Sequence, residues 1–152
     1  MAKYANGTNY AKSIDPSSAN ILDPGTFGGK VRVFQDTAVI SASTNLNSTD
    51  YIIVGGKLPT GSQVVKILVG APGTTALGTT NDLAVGDEGS ATRYMTSVQV
   101  SAAAVHVGPS VSGGMHYVVT GTTDNYIRLT GVSAGVRVST NTIKVSIFYI
   151  VE

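Results

Sequence analysis

The sequence predicts an all-β chain: an antiparallel β-sandwich over residues 30–152, preceded by an extended N-terminal arm over residues 1–29. Three observations predict it. Val, Thr and Ser supply 20, 18 and 15 of the 152 residues, and β-branched side chains pack best on a pleated surface. Charged residues make up only 12%, about half the usual share, too few to solvate the outside of a helical bundle. The apolar runs are short, many alternate with period two, and each closes on Gly, Pro, Asn or Asp. No convincing 3.6-residue stripe separates them, which excludes a βαβ design.

The arm comes first. Asn, Gly, Ser, Pro and Asp dominate it, with Tyr4, Tyr10, Ile14, Ile21, Leu22 and Phe27 spaced along it without a period. Asp15-Pro16 and Asp23-Pro24-Gly25 are turn signals, and Phe27-Gly28-Gly29 is a flexible junction ahead of the first strand. Such a segment cannot fold alone, yet a purely solvated tail has no use for spaced aromatic and aliphatic residues. The expectation is an arm that is mobile in the free chain and becomes ordered on a partner, with those six residues as contacts.

About eight strands follow: Val31–Phe34, Asp50–Val54, Val64–Val69, Asp82–Val85, Ser97–Val107 in one or two pieces, His116–Thr120, Tyr126–Thr130 and Thr142–Val151. Full closure or a jelly-roll of two Greek keys suits that number. Alternation in the third strand sets Val65, Ile67 and Val69 against Val64, Lys66 and Leu68. Tyr126–Leu129 and Lys144–Ile147 alternate as well. The stretch Ile147–Val151 is apolar on both faces, which fits a central strand or one covered by a second subunit. Predicted core residues are Val31, Val33, Val65, Ile67, Val69, Ile127, Leu129, Val145 and Ile147. Ser101–Val105, with three alanines, allows at most one helical turn among valines that prefer extended geometry.

Composition excludes several functions. A net charge of +1 with no basic run gives nucleic acid nothing to hold. The longest apolar runs fall far short of the ~20 residues a membrane helix needs. The N-terminus lacks the apolar stretch of a secretory signal, so the chain is expected to begin in the cytoplasm. Absence of cysteine removes disulfides, thiolate catalysis and Cys-based zinc sites. His106 and His116 stand ten residues apart, outside any metal-ligand spacing, and read as polar residues on a sheet face or at a subunit contact. Asp82, Asp87 and Glu88 form an acidic cluster without the spacing of a calcium loop, and read as a solvated turn. GAPGTTALG at 70–78 follows a strand but lacks the Gly-Lys-Ser/Thr ending of a phosphate loop. No catalytic, cofactor-binding or metal residue is expected, and no enzyme. Mean hydropathy of +0.19 is high for a small monomer and points to a surface meant to be covered.

The order of segments carries one further signal. An arm ending in ILDPGTFGGKVRVFQDT is followed by DYIIVGGKLPTGSQVVKILV, LAVGDEGSATRYM, GMHYVVTGTTDNYIRLTG and a closing TIKVSIFYIV. This resembles small virion structural proteins of tailed bacteriophages, the head decoration or cement group, over nearly the whole chain. Within LAVGDEGSATRYM, the matching residues are Gly86, Asp87, Ala91, Arg93 and Tyr94. The resemblance implies a β-sandwich on the outside of the phage head, bound to the major capsid protein, buttressing its joints, and assembled as a homo-oligomer, a trimer. A competing reading is a fibre or baseplate module holding a host glycan or another virion protein; the absence of Trp and of aromatic loops weighs against it.

Overall fold

The computed structural model of the chain describes residues 3–6, 31–40, 50–70, 82–99, 104–121, 125–132 and 141–151. Among them are nine strands and no helix: β1 (Lys3–Asn6), β2 (Arg32–Ile40), β3 (Tyr51–Val54), β4 (Ser62–Gly70), β5 (Asp82–Gly86), β6 (Met95–Gln99), β7 (Val105–Gly108), β8 (Ile127–Gly131) and β9 (Asn141–Val151). β2 pairs with β9, β3 with β8, β4 with β7 and β5 with β6, four antiparallel ladders nested one inside the next. Two more ladders, β4 with β9 and β5 with β8, join these pairs into sheets ordered β2-β9-β4-β7 and β1-β3-β8-β5-β6. The eight strands β2 to β9 thus form an antiparallel two-sheet sandwich, as the sequence predicts. β1 is an addition, running parallel to β3 at the edge of the five-stranded sheet.

The core lies between the sheets. From β9, Ile143, Val145, Ile147 and Tyr149 point inward and Lys144 outward, so strict alternation persists through a strand whose sequence is apolar on both sides. Ile147 sits between Phe34 of β2 and Ile67 of β4, and Phe34 stacks on Tyr149 with ring centroids 5.1 Å apart. Across the core, Ile52 and Val85 flank Leu129 on β8. Predicted core residues Ile67, Val69, Ile127, Leu129, Val145 and Ile147 are all buried.

Val31, Val33 and Val65 are not in the core. Val31 is 55% exposed, Val65 is 43% exposed, and Val33 is half-buried on the outward side. In β2 the inward parity belongs to Phe34, Asp36 and Ala38, opposite Ile147, Val145 and Ile143. A carboxylate there hides the pattern. Asp36 is tolerated because its oxygens accept the backbone N–H of Thr37 and that of Gly55, each at 2.8 Å, the second from the turn that leaves β3. In β4 the error has another cause: Val64 pairs with Tyr149 and Lys66 with Phe148, leaving Val65 as a bulged extra residue. One inserted residue reverses the parity, so Val64 joins Ile67 and Val69 inside.

One expected strand is absent. The run 97–107 takes the two-piece form, β6 and β7, and residues 101–103 of the candidate helical turn lie outside the described residues. His116–Thr120 is not a strand; it contributes a single bridge, Val118 to Gln63. Turns occupy residues 112–116, and His116 adopts a φ of 61°, which ends extended geometry before it starts. Gly55 is required for both angle and space: its φ is 72°, and a Cβ there would lie 2.9 Å from Ile147 Cδ1.

Candidate binding face

Outward parity of the four-stranded sheet gathers what the core rejects. Along one cross-strand row stand Val33, Phe148 and Lys66; along the next, Gln35, Ser146, Leu68 and Val107; along a third, Thr37, Lys144, Gly70 and Val105. Val105 is 66% exposed, Val107 59% and Val39 58%, with Val31 and Val65 on the same side. Lys66 reaches over the Phe148 ring, 5.8 Å from its centroid, so its stem covers apolar surface while its ammonium stays outside. The described residues of this face include no carboxylate. Isolated exposed valines need no explanation; a contiguous set on one sheet does.

At one end the loop 109–117 folds over this face. Gln63, whose position in β4 points outward, is covered there, and its Nε2 lies 2.9 Å from His116 Nδ1. Between that loop and the sheet runs a groove of about 370 Å³, bordered by Val65, Lys66, Val107, Pro109, Met115 and His116. The loop is held by a corner built from the residues that carry the sequence resemblance. Asp87 accepts the Ser90 backbone N–H at 2.9 Å and the Arg93 Nε–H, and the Arg93 guanidinium lies 3.7 Å from the centroid of Tyr117. Gly86 admits no side chain, because a Cβ would come within 2.0 Å of the Ser90 carbonyl oxygen. Asp87 is therefore a structural anchor and not the solvated turn residue expected. Glu88 is half-exposed and meets Arg128 at 3.5 Å. The side chain of Asp82 is outside the described residues.

Tyr94 closes the corner from the core side. Its ring is fully buried, and burial raises the phenol well above its ordinary range, with the nearby Asp87 carboxylate adding to the rise. Its hydroxyl lies near the Asp87 carboxylate but forms no well-aligned hydrogen bond. No group of three or more potential metal ligands occurs among the described residues. His106 lies on β7 and His116 on the loop, in separate environments.

Of the six contact residues expected in the arm, Tyr4 lies on β1, paired to the edge of β3. Tyr10, Ile14, Ile21, Leu22 and Phe27 are outside the described residues. Sequence reading missed the sheet face. Its signal was present in Val105-His106-Val107, an alternation with the apolar residues on the exposed side, but alternation alone does not say which side meets the core.

No family model and no curated protein matches the chain. Solved structures share its fold. A chain of the Cyanophage Pam1 capsid asymmetric unit superposes with a TM-score of 0.66 at 23% identity, covering 91% of this chain and 97% of that one. A chain from the capsid of Ralstonia phage GP4 gives a TM-score of 0.70 at 15% identity, covering 99% of each. At such identities the likeness is one of fold.

Proposed function

We propose that this chain is a non-enzymatic structural protein of a tailed-phage virion, attached to the outside of the head and strengthening the lattice of the major capsid protein. The observation that carries the reading is the end-to-end correspondence of fold with chains from two phage capsids. The motif resemblance over nearly the same length supports it independently of the coordinates. Physical chemistry supplies the mechanism: a ligand that binds only the mature lattice stabilises it by mass action, and many identical copies multiply a modest contact. Low charge limits repulsion between neighbouring copies. The protein acts as a homo-oligomer, a trimer by the resemblance; symmetry of this closed kind is the common outcome for identical subunits.

The arm extends the footprint. With β1 paired to β3, residues 7–29 supply the footprint, about 75 Å of chain at ~3.3 Å each between two points on the sandwich. Tyr10 and Phe27 offer the largest apolar area for each residue ordered.

The test is reconstitution on heads prepared without the protein. Addition of the full chain should saturate at a fixed copy number and raise the temperature at which heads release DNA. Binding to tails, fibres or a glycan array in place of heads would replace this reading with the fibre or baseplate alternative.

A further inference from the structure

The outward face of β2-β9-β4-β7 combines an apolar centre with two ammonium groups and no carboxylate among its described residues. Lys66 and Lys144 stand four positions apart along paired strands, about 13 Å at the rise of a β-strand, with Leu68 in the row between them and Val105 and Val107 beside them on β7. Among the described residues neither lysine makes an ion pair. Arg93 and Arg128, by contrast, each meet a carboxylate, Asp87 and Glu88. The two lysines stand on the side where the apolar residues are also uncovered.

Charge decides between two occupants. A second copy docking face to face would contribute the same patch, since a two-fold contact is made by one surface with itself. Every such arrangement places four ammonium groups in one interface with no described carboxylate to answer them, and unpaired charge in a desolvated interface is costly. A foreign surface carrying its own carboxylates has no such penalty.

We propose that this face docks onto a different protein, through an apolar surface that presents carboxylates to Lys66 and Lys144 and sets a projecting apolar side chain in the groove between Val107 and Met115. The inference rests on the head-attachment reading and names the surface that makes the attachment. On this view self-association uses other surfaces, and the charges set orientation and encounter rate while the valines supply most of the buried apolar area.

The experiment uses the full chain, heads lacking it, and three proteins: wild type, Lys66→Glu/Lys144→Glu and Val105→Ser/Val107→Ser. All four positions are exposed, so melting temperatures should agree within a few degrees, and the serine pair keeps the test open if the charge reversal disturbs folding. Co-sedimentation should show at least a tenfold loss of affinity for each double variant. Wild-type binding should weaken as salt rises, and light scattering should give one molar mass for all three proteins. Unchanged head binding in both variants overturns the proposal while leaving head attachment intact. Tighter binding by the glutamate variant, or a changed molar mass in either, overturns it in favour of a basic partner or a second copy. Failure of wild type to bind heads overturns the reading of attachment and this inference with it.

Discussion

The two sheets differ most on the sides turned away from the core. On the five-stranded sheet the outward residues Ile53, Ala84 and Thr130 are 5%, 2% and 4% exposed, almost as hidden as the core itself. Arg128 lies over the Tyr51 ring there, 4.5 Å from its centroid, and meets Glu88. On the four-stranded sheet the outward valines at 39, 105 and 107 are each more than half exposed. The middle of one sheet, across β3, β8 and β5, is buried on both faces; the other sheet has an apolar face left over. Composition alone cannot distinguish these cases, because both surfaces are built from the same few residue types.

Substitution can break or sharpen that contrast. The largest effect should come from Ile53→Lys, which buries an ammonium directly across the ladder from Arg128 on the closed face and should cost ~3–5 kcal/mol in a denaturant titration. Val107→Lys, the same chemistry on the open face, should stay within about 0.5 kcal/mol. Equal costs would mean that the two faces are not distinct. Between them in size, Ile147→Ala should lose ~2–5 kcal/mol, since transfer and cavity terms add in a core shared by both sheets.

Asp36→Ala leaves the Gly55 N–H without its acceptor and should cost ~1–3 kcal/mol, with β2 amides exchanging faster than those of β8. Tyr94→Phe removes a hydroxyl without a well-aligned partner, so near-neutral stability at pH 7 is the expected outcome. Its signature is at high pH. Because the folded phenol titrates above the unfolded one, wild type keeps the full contribution of this group below about pH 10 and loses it as pH rises through the folded value. The alkaline fall in melting temperature should be shallower in Tyr94→Phe than in wild type; identical slopes would remove Tyr94 from the account.

Much of the fold could be read in the sequence, and the misreadings have physical causes. β9 was legible because its inward residues keep period two from Ile143 to Tyr149. β2 misled because its inward face carries Asp36, whose hydrogen bonds to Thr37 and to a residue 19 positions away are invisible in a hydropathy pattern. β4 misled because a bulge leaves no compositional mark: Val64-Val65 is apolar whichever residue is extra. The binding face was harder still. Whether a valine on a sheet points to the core or to a partner depends on strand order, and nested pairing joins residues more than a hundred positions apart.

The same nesting has a consequence for how the protein comes into being. β9 lies in the interior of its sheet, between β2 and β4, although it is the last of the described strands. Until it arrives, the side of β2 that it will pair with is an open edge, as is one side of β4, and the core lacks Ile143, Val145, Ile147 and Tyr149 at once. Long-range pairing of this kind delays folding. A chain cut before residue 141 therefore has open strand edges and lacks Lys144, Ser146 and Phe148 of the outward face.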